Sequence, residues 1–211
     1  MTGLRERKKQ EVRHRIIQAA ERLFAAKGLD NTTMEDVASA ADVSVATVYN
    51  YFGAKSPLLL AAVGEETDEM IRLGETVLAR PGPNPVKAVQ RLLGIYTDHL
   101  TAWDPGFLRE VLGASFQNAG SDALTTELAA MDQRLVDQMV RLLSGFEAKQ
   151  KLGAGIAVYD ATMLLFSAFV LQLFMFLSVE GFSAKDARKQ VDRQVELAFV
   201  GLGDNKKAKA K

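Results

Sequence analysis

The chain has 211 residues, 48% of them apolar, with 26 Lys and Arg against 26 Asp and Glu, so it can bury a sizeable core and carries no net charge to hold a polyanion as a whole. It has no cysteine, which excludes disulfides, thiolate zinc sites and thiol catalysis. Its first ten residues, M-T-G-L-R-E-R-K-K-Q, are charged and lack the apolar run of a signal peptide, so a cytoplasmic location is expected.

Almost every segment repeats its apolar residues with helical period, and no convincing strand alternation is present, so an all-α fold is expected. The first helix is expected over 8–27, with Ile16, Ile17, Ala20, Leu23 and Phe24 on one face and Gly28 as its stop. Thr33 has the place of an N-cap, with Asp36 three residues on in capping-box position. The second helix then carries Met34, Val37, Ala38 and Ala41 at i, i+3, i+4 and i+7. Asp42-Val43 makes a turn, and Asp tolerates the left-handed geometry such a turn needs. Ser44 caps a short third helix ending at Phe52, and Gly53-Ala54 breaks it. Ser56 and Pro57 offer a cap and a first-turn proline for a fourth helix through Leu59, Val63, Met70 and Leu73 to about Ala79.

The run P-G-P-N-P at 81–85 is a break, with Asn84 as cap and Pro85 as first helical residue. The fifth helix places Val89, Leu92, Leu93, Tyr96, Leu100 and Trp103 on one side, and a shorter one is expected over 106–117. Beyond Gly120-Ser121, a long helix carries Leu124, Leu128, Met131, Leu135, Met139, Leu142 and Phe146 at the three–four spacing of a packed seam. Gly153 and Gly155 interrupt it, a very apolar helix covers 158–179, and an amphipathic one runs over 183–199. The domains expected are 1–55, a compact three-helix unit, and 56–204, a larger helical domain, followed by a disordered basic tail, 205–211.

Charge is uneven within this plan. Residues 1–15 hold Arg5, Arg7, Lys8, Lys9, Arg13 and Arg15 against Glu6 and Glu11, a basic arm whose plain reading is a solvated helix start.

Two short helices joined by a three-residue turn have the dimensions of a helix-turn-helix. Val48 and Phe52 lock the third helix to the core, which leaves Val45, Ala46, Thr47, Tyr49, Asn50 and Tyr51 at least partly exposed. DNA suits that set: hydroxyls donate to phosphate oxygens, small apolar groups meet a thymine methyl, and Asn50 can pair with a base edge or a phosphate. Lys55 is placed to neutralise a phosphate, and the helix N-termini favour anions.

The stretch T-T-M-E-D-V-A-S-A-A-D-V-S-V-A-T-V-Y-N-Y-F-G-A-K-S-P-L-L resembles the DNA-binding signature of the TetR family of transcriptional regulators, and R-I-I-Q-A-A-E-R-L-F-A-A-K-G resembles that family's first helix. The resemblance covers roughly 13–63. It implies phosphate contacts from Thr33, Thr47, Tyr51 and Lys55, with Ser44 capping and touching the backbone, and base contacts from Val45, Ala46, Tyr49 and Asn50. Ala54 and Ser56 depart from the family's usual pattern, which moves the expected cap of the fourth helix to Ser56 and bears on the reach of Lys55.

A single short recognition helix reads only a few base pairs, so a homodimer reading a palindromic operator is expected, joined through the helices around 158–179 and 183–199. The uncharged segment 161–179 also has the length of a membrane span, but Asp160 and Glu180 flank it, no Lys or Arg is close, and Gln172 sits mid-span. The resemblance further implies a small hydrophobic effector, bound in the larger domain, whose occupancy moves the fourth helix. Candidate contacts are Tyr96, His99, Trp103, Phe107, Phe116, Met139, Phe166 and Phe169, each of which core packing alone would also explain. No cofactor, metal site or catalytic constellation is expected: His14 and His99 are the two histidines, and no phosphate-cradling glycine motif, HExxH or nucleophile elbow occurs. The function expected is a ligand-responsive repressor of transcription. The rivals are a helical binding or structural protein without DNA affinity and a membrane-anchored helical protein.

Overall fold

The computed structural model describes residues 3–109, 111, 123–152 and 157–203. Phe116, most of the helix expected over 106–117 beyond Arg109, Gly153 and Gly155, and the tail 205–211 lie outside the described residues. Within them all regular structure is α-helical and no strand occurs, as the apolar periodicity requires.

Helix α1 spans Leu4–Lys27, starting four residues before the apolar pattern does, and ends at Gly28, whose φ of 79° favours glycine. Helix α2 is Met34–Ala40 and α3 is Val45–Phe52. Helix α4 runs Lys55–Ala79, so Pro57 lies in its first turn as expected while Ser56 is inside the helix rather than its cap, a correction of two residues. Helix α5 is Pro85–Leu100, with Asn84 accepting from the Lys87 amide as its cap. Helices α6, α7 and α8 are Ala123–Glu147, Val158–Ser178 and Ala184–Gly203. Residues 105–109 form a short helical piece between α5 and α6.

Packing divides the chain into two units: Met1–Asp68 with Trp103–Leu128, and Glu69–Ala102 with Ala129–Lys211. The core of the first is built from Ile16, Ile17, Ala20 and Phe24 of α1, Met34, Val37 and Ala38 of α2, Val48 and Phe52 of α3, and Leu58 and Leu59 of α4, all buried. Each of the larger of these side chains contributes about 1.5–3 kcal/mol on burial, which is how helices of seven and eight residues, too short to persist alone, are held.

In the second unit α5 and α7 both pack on α8. Val89, Leu92, Leu93, Tyr96 and Leu100 of α5 are buried, and so is the α6 seam from Met131 through Leu135, Met139 and Leu142 to Phe146. Ser183 and Asp186 cap α8 reciprocally, the Ser183 amide donating to the carboxylate at 3.0 Å and the Asp186 amide to the Ser183 hydroxyl at 3.2 Å.

Candidate nucleic-acid interface

The connection between α2 and α3 is fixed by its own backbone. Asp42 takes φ of 53°, the Val43 amide donates to Ala38 O at 3.0 Å and the Asp42 amide to Ser39 O at 3.3 Å. Those two bonds are the Schellman closure of a helix end, achieved here with Asp at the left-handed position. Ser44 then starts α3 by accepting from the Thr47 amide at 3.1 Å. At the other end of α2, Thr33 and Asp36 form a full capping box, with the Asp36 amide donating to the Thr33 hydroxyl and the Thr33 amide donating to the Asp36 carboxylate. That carboxylate also accepts from Lys27 at 2.7 Å, and its pKa is drawn down to about 2, chiefly by Lys27 and then by the Thr33 amide.

With α3 so anchored, Val48 and Phe52 face inward and the remaining residues outward. Ala46, Tyr49 and Asn50 are exposed, Tyr49 at 46%, while Val45, Thr47 and Tyr51 are half-buried. Thr33 and Ser44 are exposed as well. The Ser44 and Thr47 oxygens lie 2.8 Å apart, so one hydroxyl proton sits between them and the other is left for an outside acceptor. Thr33 accepts from the Asp36 amide, and its hydroxyl also serves the Asp36 carboxylate.

Two of the expected phosphate donors are held inside the protein. The Lys55 ammonium donates to Leu29 O at 2.8 Å and Thr32 O at 3.1 Å, closing the α1–α2 loop and leaving one N–H. The Tyr51 hydroxyl donates to Lys9 O of α1 at 3.2 Å. Both carbonyls that bind Lys55 belong to a loop, where helix ladders leave acceptors unsatisfied. The N-terminus of α2 is also partly filled by its own carboxylate, Asp36, which reduces its value as an anion site.

Glu65 of α4, which the sequence pattern does not single out, joins this unit to α1: it accepts from Arg13 at 3.4 Å and meets His14 Nδ1 at 2.9 Å. Close by, burial pushes the Glu21 carboxyl up to about 7, with Glu66 and Glu65 adding to the shift.

Seven of the eight effector candidates fall among the described residues, in both units. Trp103 and Phe107 belong to the first unit, where their rings stack 4.9 Å apart and Phe107 stacks in turn on Phe24 of α1 at 5.8 Å. Tyr96, Met139 and Phe169 are buried in the second unit, His99 and Phe166 are half-buried there, and Phe166 and Phe169 lie 6.3 Å apart on α7. The Tyr96 hydroxyl donates to Gln138 at 2.9 Å, and the Gln138 amide donates to Ile71 O at 2.9 Å and to Glu75 at 2.8 Å. Gly74 leaves room for this, since a Cβ there would come 2.2 Å from Gln138 Oε1. Gln138 is the residue that pattern reading misses, being polar on a helix otherwise read from its apolar seam. A groove of about 870 Å³ in the same unit is lined by charged residues that include Asp98, Lys185, Arg188, Lys189 and Arg193, and by none of the seven described candidates.

The geometry defines an all-helical protein with a helix-turn-helix head. Residues 16–62 match the model of the bacterial regulatory proteins of the tetR family, so the chain carries that family's N-terminal segment. It is 33% identical over 131 residues to the HTH-type transcriptional repressor KstR of Rhodococcus jostii, a match covering 61% of this chain and 58% of KstR, so the chain spans less than two thirds of that relative. Among solved structures it resembles a transcriptional regulator from Cytophaga hutchinsonii, with a TM-score of 0.73 at 16% identity over 90% of this chain and 97% of that one. It also resembles FadR of Thermus thermophilus, a TetR-family transcriptional repressor in complex with lauroyl-CoA, with a TM-score of 0.60 at 19% identity over 92% and 96% of the two chains. Those two likenesses carry the fold alone.

Proposed function

We propose that the protein is a cytoplasmic DNA-binding regulator of transcription, a homodimeric repressor that leaves a palindromic operator when a small hydrophobic effector binds. In this reading 1–55 is the DNA-reading domain and 56–204 the effector and dimer domain. The observation that carries it is the α3 surface: small apolar groups at Val45 and Ala46, the Tyr49 and Asn50 side chains, and a spare hydroxyl proton in the Ser44–Thr47 pair, on a helix and its cap held by a closed turn. Such a surface fits a groove, with hydroxyls to phosphates and Val45, Ala46 and Asn50 to base edges.

One head of this size reads too little sequence for specificity, which is the reason for a dimer. Helix α7 has the length and composition of a membrane span, with a mean hydropathy of 2.0, yet its exposed apolar residues Leu164 and Leu171 adjoin exposed Leu197 of α8 across a groove shared by the two helices. A two-helix apolar face of that kind suits a second copy of the chain better than lipid, since α8 is amphipathic and charged.

Repression is then lifted by population shift: an effector that prefers the form unable to span both half-sites lowers operator affinity by its difference in affinity for the two forms. The lauroyl-CoA of the related fold makes a long-chain acyl thioester the first effector to try. The test is fluorescence anisotropy of the purified protein with palindromic fragments from around its own gene. Binding should weaken steeply as salt rises from about 50 to about 200 mM. Failure to bind any fragment above the level of random duplex would overturn the reading.

A further inference from the structure

We propose that the first turns of α1 form a second DNA-contacting element, a cationic rail carried by Lys8 and Lys9 and braced against the recognition helix by Tyr51. The proposal rests on the DNA-binding reading above and adds to it a site outside the helix-turn-helix.

The basic residues are not a loose arm. They stand on a continuous helix from Leu4, so their spacing and direction are set by the helix. Arg13 is engaged, meeting Glu65 at 3.4 Å and lying over the Phe52 ring at 5.6 Å. Lys8 and Lys9, by contrast, are exposed, and their ammonium groups meet no acidic partner among the described residues. Lys9 and Arg13 are one turn apart, and that side of α1 abuts the end of α3: Tyr51 donates to Lys9 O at 3.2 Å, and Phe52 lies under Arg13. The main chain of Lys9 is therefore within one hydrogen bond of the recognition helix.

Groove dimensions turn that position into a contact. A helix seated in a major groove about 12 Å wide has a phosphate backbone on either side, and whatever is fastened to its end lies at the groove wall. Two long, flexible ammonium side chains there meet phosphates and release counterions. The whole chain is electrically neutral, so a local cationic rail of this kind is what gives it attraction for a duplex. The Tyr51 hydroxyl, already donated to Lys9 O, acts in this arrangement as a positioning group for the rail instead of a phosphate donor.

The experiment is operator binding by anisotropy across a salt series for the full-length wild type, the Lys8→Gln/Lys9→Gln double variant, and a Lys185→Gln/Lys189→Gln control that removes the same charge from α8. The first pair should lower the slope of log affinity against log salt by about 3.6 for the dimer on its operator, from two lysines in each of two subunits at about 0.9 per phosphate contact, with base preference unchanged. The control should leave the slope within about 0.3 of wild type. A wild-type slope in the Lys8/Lys9 variant, or an equal fall in the control, overturns the rail while leaving DNA binding intact. A wild type that binds no duplex overturns the functional reading and the rail with it. The brace is tested by combining Tyr51→Phe with Lys9→Gln: the losses should be non-additive, the double variant weaker than the worse single variant by less than about twofold. Additive losses overturn the role of Tyr51.

Discussion

Thr33 and Asp36 cap each other across the first turn of α2, each giving a backbone N–H to the other's side chain, at 2.9 and 3.1 Å. Because Asp36 also accepts from Lys27 of α1, this one carboxylate fixes both the start of α2 and its place on the first helix. Thr33→Ala should therefore lower the stability of the head by about 1 kcal/mol in chemical denaturation. Asp36 ionises at about 2 when folded, below its ordinary value, so its contribution is fully present above the unfolded carboxyl range and is lost as pH falls through the folded value. Asp36→Asn should flatten the acid limb of the stability curve between about pH 4 and 2.

Glu21 behaves in the opposite sense. Its folded pKa is raised to about 7 by burial first and by Glu66 and Glu65 next, so the stability attached to its protonated form is complete below the unfolded carboxyl range and is lost as pH rises through neutrality. Glu21→Gln should match wild type in thermal melts near pH 4 and exceed it near pH 8. A variant no more stable than wild type at the higher pH would show that this carboxyl stays hydrated.

Lys55 ties the α1–α2 loop by two carbonyls, Leu29 O and Thr32 O. Lys55→Met keeps the aliphatic stem and removes both bonds, so it should destabilise the protein by about 1–3 kcal/mol, the range for hydrogen bonds to a charged group. If the residual N–H also meets a phosphate, the salt slope of operator binding by the dimer falls by about 1.8 in the same variant, about 0.9 from each subunit. Stability and slope are separate readouts, and together they divide the two roles.

Those three sites show what the sequence makes legible. Thr33, Asp36, Asp42 and Ser44 act on neighbours within five residues, where local chemistry decides, and the caps and the left-handed turn follow from residue type. The all-helical architecture was equally readable from the spacing of Ile16, Ile17 and Phe24 or of Leu135, Met139 and Leu142. The early start of α1 was not, because 4–7 has no apolar period to betray a helix that charged residues form readily. Partners far along the chain were hidden as well: Lys55 meets Leu29 across 26 residues and Tyr51 meets Lys9 across 42. Trp103 looked like a continuation of the α5 face, but α5 stops at Leu100, and the ring instead joins Phe107 in a stack that reaches Phe24. Periodicity names a face and stays silent on what that face meets.

Within the second unit, Gln138 is satisfied by Tyr96, Ile71 O and Glu75, and Glu75 also pairs with Arg141. Gln138→Leu removes the bonds and strands the buried Tyr96 hydroxyl, for an expected loss of about 1–3 kcal/mol. Gly74→Ala should mimic it, since the added methyl would push the Gln138 amide out of its hydrogen bonds. Tyr96 has its pKa pushed up to about 12, mainly by burial, so its contribution is whole below the ordinary phenol value and is lost as pH rises through 12. Ultraviolet titration of the wild type should show one tyrosine ionising late, and Gln138→Leu should change that step alone.

The apolar face of α7 and α8 gives the prediction that reaches furthest into function. Leu164 and Leu171 are seven residues apart on α7, with Ser167 and Ala168 between them, and Leu197 and Ala198 border the same groove from α8. Leu164 is 55% exposed and Leu197 62%. Left in water, such a face favours association, and two copies related by a two-fold axis would close it leucine against leucine. The small residues between the leucines allow a close approach of helices, while charge placed at the centre would be buried without a partner. Leu171→Arg should consequently yield a monomer in sedimentation, with its helical content and the melt of the DNA-reading head kept. Because specificity depends on two heads bound together, the same variant should lose operator affinity by about a hundredfold or more while random-duplex binding persists. A variant that stays dimeric, or a monomer that holds the operator as tightly as wild type, would place the subunit contact elsewhere.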